Sequence, residues 1–181
     1  MKQFKNIFYL FVLFTTCTAL AGSYEDFFVA VKRNDGGSVT ELLQRGFDPN
    51  TPDPSGNIAL VLALQAENFA VAEALMARPG LNVNALNQSG ESALMMAALR
   101  GNLAWCERLL ARGASINKAG WTALHYAAAG PEPKVVKLLL DRGAVVDAES
   151  PDKTTPLMMA ARYGPEEGVT VLLAHGADPK R

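Results

Sequence analysis

The stretch Thr122–Gly130, TALHYAAAG, holds one of only two histidines in the chain. Its reading decides what kind of protein this is. A catalytic or metal-binding His125 would need polar partners nearby in the sequence pattern. A structural His125 would need the same turn-and-helix setting to recur without it. The setting does recur. Four segments begin turn, x-Ala/Pro-Leu, then an Ala-rich helix: GNIALVLALQAENFAVAEALMARPGLNVNA from Gly56, GESALMMAALRGNLAWCERLLARGASINKA from Gly90, GWTALHYAAAGPEPKVVKLLLDRGAVVDA from Gly120 and KTTPLMMAARYGPEEGVTVLLAHGADPKR from Lys153. At the position of His125 the others carry Val61, Met95 and Met158.

Each segment continues with a break, a second apolar helix and a glycine. These glycines are Gly46, Gly80, Gly113, Gly143 and Gly176, spaced by 34, 33, 30 and 33 residues. A fixed period of this size marks a stack of helix pairs in which neighbours complete each other's core. Leu94, Leu124 and Leu157 recur on the first helix, and Leu109/Leu110, Leu139/Leu140 and Leu172/Leu173 on the second. The alanine pairs Ala97/Ala98, Ala127/Ala128 and Ala160/Ala161 allow close helix approach. The glycines are expected to end the second helices in the left-handed conformation that costs glycine nothing. Two departures stand out. Pro79 is inserted before Gly80. INKAGWTAL is three residues shorter than its counterpart VNALNQSGESAL, which predicts a truncated loop between the third and fourth units.

TALHYAA (Thr122–Ala128) and TPLMMAA (Thr155–Ala161) resemble the Thr-Pro-Leu-His-x-Ala-Ala signature of the ankyrin repeat, whose unit is about 33 residues. RGASIN, RGAVVD and HGADPK are similar to the end of that unit. The degenerate YEDFFVAVKRNDGGSVTELLQRGFDPN, residues 24–50, reads as an N-terminal cap. The resemblance covers nearly all of residues 22–181. It implies an all-α solenoid of about five stacked helix-turn-helix units with short hairpin loops, with approximate bounds 24–52, 53–86, 87–118, 119–149 and 150–181. It also implies that His125 hydrogen-bonds the adjacent turn and that partners are met through the hairpin tips and the exposed side of the first helices.

The first 21 residues differ from the rest. MKQFKN is basic, Ile7–Phe14 is apolar, and Ala19-Leu20-Ala21 is a small-x-small end. This pattern predicts a secretory signal cut after Ala21. An uncleaved anchor is the alternative, although the run is short for a span of about 20 residues. Cys17 follows Thr16, which does not suit a lipoprotein cleavage site. Removing the leader takes away Lys2 and Lys5, leaving 15 basic against 18 acidic residues and a net charge of −3. Cys106 then stands alone, so no intrachain disulfide is expected and packing must hold the fold.

Little in the chain points to chemistry. Two separated histidines and one cysteine fall short of the roughly four clustered ligands of a zinc site. Cys106 reads as a buried small hydrophobe, with a redox-reactive thiol as the alternative. NDGGSVT, residues 34–40, lacks the lysine and spacing of a phosphate loop and reads as a turn into a helix. PDPSG and SPDKTTP read as hairpin tips. His175, near a helix end, suits the helix dipole. No basic excess suggests a nucleic-acid ligand. No cofactor, metal or catalytic residue is expected, and a hydrolytic enzyme is the less favoured reading.

The expected function is protein binding, as an adaptor, inhibitor or protective partner in the bacterial cell envelope. The protein is expected to be periplasmic or secreted, monomeric and not inserted in a membrane after signal cleavage. A secreted effector binding a host protein is the alternative. The candidate partner-binding residues are Lys32, Arg33, Gln65, Leu99, Arg100, Trp121, Arg162 and Tyr163, because Trp, Tyr and Arg dominate interface energetics. Asn57, Gln88, Glu91, Trp121 and Lys153 mark the hairpin tips.

Overall fold

The computed structural model describes residues 22–181, and the leader reading lies outside them. Ten helices follow one another: α1 (22–32), α2 (Gly36–Gln44), α3 (Ala59–Gln65), α4 (Phe69–Met76), α5 (Ala93–Leu99), α6 (Leu103–Ala111), α7 (Ala123–Ala129), α8 (Pro133–Asp141), α9 (Pro156–Tyr163) and α10 (Glu166–Ala174). They pair consecutively into five helix hairpins. First helices pack on first helices (α3 on α5 on α7 on α9). The second helices form a parallel layer. The result is the all-α solenoid that the period predicts. In the middle of the stack α5 and α7 are in broad contact, whereas α6 and α8 barely touch. The first-helix layer is therefore the more tightly spaced there.

The core is continuous through the stack. Leu42, Leu75, Leu109, Leu139 and Leu172, one per second helix, are all buried. So are Leu60, Leu94 and Leu124 on the first helices, with Ala97, Ala98, Ala127 and Ala128 between them. Close approach is strictest where each first helix hands over to the second. A Cβ on Gly164 would lie 2.2 Å from the Ala128 carbonyl oxygen of the preceding unit. At the N-terminal end the cap fills its core with aromatic rings. Phe27 stacks on Phe47 at 4.3 Å and meets Phe28 edge-on.

The glycines after α2, α6, α8 and α10 adopt φ of +96°, +83°, +89° and +88°. Each of these ends closes with the paired bonds of a Schellman motif, as in Gly113 N–H to Leu110 O and Ala114 N–H to Leu109 O. Gly80 corrects the sequence expectation, because it is not left-handed. Pro79 is the reason. It has no N–H to donate to the helix end, and it disfavours helical geometry at Arg78 before it. Helix α4 stops at Met76, and Leu81 N–H turns instead to Arg78 O. Arg78 reaches back, donating from Nη2 to the Leu43 carbonyl at 2.8 Å. Arg112 does the same to Met76 O at 2.6 Å. Each guanidinium thus binds a carbonyl at the end of the preceding unit's second helix, Leu43 O taking the Gly46 N–H as well.

A second set of links is less visible in the sequence. Asn50, Asn84 and Asn117 occupy equivalent places at the ends of successive units. Each donates from Nδ2 to the next unit's carbonyl (Gly80, Gly113 and Gly143) and accepts that unit's N–H (Asn82, Ser115 and Val145) on Oδ1, over 2.7–3.1 Å. At the last junction the residue is Asp147. It accepts from Asp178 N–H at 3.1 Å but has no N–H to give to the equivalent carbonyl, that of Gly176.

The tips follow the turn reading. Asp53 Oδ1 accepts from Ser55 and Asn57 N–H, and Asn87 Oδ1 from Ser89 and Glu91 N–H. The shortened third tip has no such acceptor. Lys118 Nζ bonds the carbonyls of Ala119 and Trp121 instead. Asp35 caps α2 by accepting from Ser38, which makes NDGGSVT a helix entry.

The final unit is covered on one side only. Leu157 and Leu140's counterpart Leu173 lose the burial of their equivalents. Met158 is 41% exposed where Met95 is 1% and His125 is 0%. Glu166, Glu167, Thr170 and His175 lie on the surface of this unit, with apolar Met158 and Leu173 exposed beside them.

Two substitutions test this register. Leu139→Ala removes a fully buried side chain and should cost about 2–5 kcal/mol, measured by urea unfolding. Unchanged stability would contradict the stacking. Asp147→Asn should complete the last asparagine link and stabilise the C-terminal unit by about 0.5–1.5 kcal/mol. Slower amide exchange across residues 150–181 would report it.

Candidate functional site

His125 is fully buried at the start of α7. Its Nδ1 lies 3.2 Å from the Thr122 backbone nitrogen and 2.9 Å from Thr122 Oγ1. The Thr122 N–H can only donate, so Nδ1 is the acceptor. The proton then sits on Nε2, which faces the Thr154 carbonyl at 3.0 Å. The ring therefore ties its own turn to the tip of the next unit. Met95 makes the first of these contacts with its sulfur, which accepts from Ser92 N–H at 3.3 Å. Burial lowers the pKa of His125 below the ordinary 6.5, partly opposed by the Thr154 and Ala148 carbonyls and Asp152. The imidazole is a structural strut, as its place in the repeat implies.

The other candidates for chemistry are equally occupied by the fold. Cys106 is buried, and burial pushes its thiol up to about 12, which suppresses thiolate chemistry. His175 caps α10, with Nδ1 2.7 Å from Val171 O, and faces Asp141 at 3.6 Å. Among the described residues no group of three or more His, Cys, Asp or Glu side chains is placed to hold a metal ion.

The exposed residues of the first-helix layer form the candidate interface. Lys32 and Arg33 end α1, Gln65 ends α3, Leu99 and Arg100 end α5, and Arg162 and Tyr163 end α9. These seven fall in one row, at the C-terminal ends of the first helices, and all are exposed. Leu99 is 37% and Tyr163 58% exposed, large apolar groups left in water. Two of the cations are held in place. Arg100 Nε donates to the Gln65 carbonyl at 2.8 Å, so the guanidinium also caps α3. The Arg162 guanidinium lies over the Tyr163 ring at 5.1 Å. Lys32, Arg33, Arg100 and Arg162 form no ion pair with a described residue. The ion pairs present involve Arg45, Arg108, Lys137, Lys153, His175 and Arg181.

Trp121 stands apart from this row. It precedes α7, at the opposite end of the first-helix layer, about 10 Å away along a seven-residue helix. Its half-buried ring packs edge-on against His125 at 5.2 Å. The row has a notch at the fourth unit. Helix α7 is one residue shorter than α9, and the small pair Ala129–Gly130 lies between Leu99–Arg100 and Arg162–Tyr163. Sequence reasoning did not single out Glu91, Tyr126 and Asn87 as a group. Tyr126 Oη donates to Glu91 Oε1 at 2.8 Å and Asn87 Nδ2 to Oε2 at 2.8 Å, stiffening the second tip. Burial, with the Glu91 carboxylate beside it, raises the Tyr126 pKa.

The His125 geometry sets a pH dependence. A histidine whose pKa is lowered on folding binds fewer protons folded than unfolded, so stability falls as pH drops below about 6.5. Thermal melts between pH 7.5 and pH 5 should show this decline. His125→Met, which copies Met95, should cost about 1 kcal/mol at pH 7.5 for the lost bond to Thr154 and flatten the dependence. An identical slope in both proteins would remove His125 as its source.

Comparison with known proteins agrees with this geometry. The model of the family "Ankyrin repeats (3 copies)" matches residues 27–119 and 113–181. Similar segments occur in the rice protein "Probable E3 ubiquitin-protein ligase XBOS31" (50% identity over 58 residues), in human "Neurogenic locus notch homolog protein 4" (48% over 63) and in mouse "Protein phosphatase 1 regulatory subunit 12A" (43% over 61). Each covers 32–34% of this chain, and the matches span only 13%, 3% and 6% of those proteins. The likeness is to their repeats and not to their whole length. With five helix pairs in one register and a family match running from residue 27 to residue 181, the chain belongs to the ankyrin repeat family.

Proposed function

We propose that residues 22–181 form a non-enzymatic protein-binding module, exported to the bacterial cell envelope, that acts as an adaptor, inhibitor or protective partner of another protein. Ankyrin repeats are protein–protein interaction modules, and this stack is built as one. Its titratable groups in the interior serve as struts. The observation that carries the reading is the exposed row along the first helices, where Leu99 and Tyr163 stand in water beside Arg100 and Arg162. Arginine and tyrosine are the residue types on which interfaces concentrate their energy. The basic, apolar and small-residue pattern of residues 1–21 supports export. None of the described helices is long and apolar enough to cross a membrane.

The test is a pull-down of the tagged mature protein from a periplasmic extract, with bound proteins identified by mass spectrometry. One stoichiometric partner is expected, and it should be lost with Arg100→Glu/Arg162→Glu while circular dichroism shows unchanged helicity. Retained binding in that variant would move the interface to the tips or the second-helix face. Fractionation of the producing cell is expected to find the chain in the periplasm, starting at Gly22. Accumulation in the medium would favour an effector acting outside the cell.

A further inference from the structure

We infer that the outer face of the last hairpin, α9 and α10, pairs with the same face of a second copy of this chain, each α9 lying on the other copy's α10. That face has no neighbour among the described residues. Its side chains stand where those of inner units touch the unit that follows. Met158 takes the place of His125, whose Nε2 faces the Thr154 carbonyl of the next unit at 3.0 Å. Glu166 takes the place of Phe69, whose ring stacks on Trp105 of the next unit at 6.0 Å. Ala161 and Leu173 take the places of Ala128 and Met76, which are buried. In the last hairpin Met158, Ala161, Glu166 and Leu173 are all exposed.

The face is complementary to itself. On α9, Met158 and Arg162 are one turn apart on the same side of the helix. On α10, Glu166 and Leu173 are two turns apart on the same side. Arg162 and Glu166 both lie at the hand-over end of the hairpin, and Met158 and Leu173 towards its open end. A twofold axis lying in the interface, parallel to the helices, keeps these ends level while it sets each α9 on an α10. Each Arg162 then meets Glu166 and Glu167 of the second copy, and each Met158 meets its Leu173. At 1.5 Å per residue, about 6 Å separates Met158 from Arg162 and about 10 Å separates Leu173 from Glu166. The long Arg and Glu side chains take up the difference. The paired helices run antiparallel, which also opposes their dipoles. An axis perpendicular to the helices would instead set Arg162 on Met158 and Glu166 on Leu173, charge on apolar carbon. Arg162, Glu166 and Glu167 form no ion pair with a described residue, so the second copy supplies the opposite charge to each.

A solubilising end unit accounts for part of this pattern. Such units carry a polar outer face, and carboxylates at a helix N-terminus are favoured by the dipole. Neither reason accounts for Met158 and Leu173, large apolar groups left in water on the same face. Two helices of eight and nine residues offer much less than the roughly 800 Å² per partner of a standard interface. The pair is therefore weak and forms only as concentration rises. It departs from the monomer expected from the sequence. It does not rest on the protein-binding reading above, and it leaves Lys32, Arg33, Leu99 and Arg100 open to another protein.

Sedimentation velocity of the mature protein, from about 5 to about 500 μM, tests the inference over the range suited to a small interface. A dimer that dissociates on dilution is expected. Met158→Lys should weaken it at least tenfold. So should Arg162→Glu alone and Glu166→Arg/Glu167→Arg alone, each with an unchanged circular dichroism spectrum. An equimolar mixture of these two charge variants should dimerise again, because the mixed pair sets opposite charges across both contacts. Glu107→Lys, on α6 and away from the face, should change the association by less than twofold. A monomer at every concentration would overturn the inference. A dimer indifferent to Met158→Lys would place the contact elsewhere and overturn the face. Charge variants that stay monomeric when mixed would overturn the crossing of α9 on α10. Weakening by Glu107→Lys as large as that by Arg162→Glu would show a response to net charge and overturn the ion pairs.

Discussion

No unit of this protein can bury its own apolar surface. A hairpin of two helices, seven to nine residues each from α2 onwards, hides one face of each helix against its partner and leaves the flanks to the next hairpin. Everything else in the structure follows from that shortfall. Leu94 and Leu124 are buried because a neighbour lies on each side, and Leu157, at the same place in the last unit, is half-exposed because one neighbour is missing. The small residues at the helix hand-over, the left-handed glycines and the arginines that reach backwards all serve a junction that must repeat at nearly constant spacing.

The polar links set that spacing. Hydrophobic contact is non-directional and tolerates sliding. An asparagine that both gives and takes a hydrogen bond on the next unit's backbone does not. Asn50, Asn84 and Asn117 fix the height of each unit on the one before, and His125 fixes the tip of the fourth against the fifth.

Much of the fold was legible in the sequence because the period places equivalent residues in equivalent settings. The role of His125 followed from Met95 and Met158 standing where it stands, and the truncated third tip followed from three missing residues. The limits of that legibility have physical causes. Gly80 keeps its place in the repeat yet loses its left-handed geometry, because Pro79 lacks the N–H that closes the turn. Asparagines at unit ends read as ordinary turn formers until their partners, about 30 residues away, are in view. The site was legible in composition and less so in position. Seven of the eight candidate residues share one row, but Trp121, near in sequence to the tip, turns its ring inward onto His125. No spacing rule distinguishes a tip residue that faces water from one that faces the next turn.

The last junction has a consequence for recognition. The fifth unit is joined through Asp147 in place of an asparagine and is packed on one side only. In a one-dimensional stack, a unit held by fewer links opens locally at a lower free energy than its neighbours. Arg162 and Tyr163 stand on that end unit. A ligand that grips them binds only the closed form, so part of its binding energy goes to keeping the end closed, and the bound protein resists unfolding more than the free one. Affinity at this end of the row therefore depends on residues that no ligand touches.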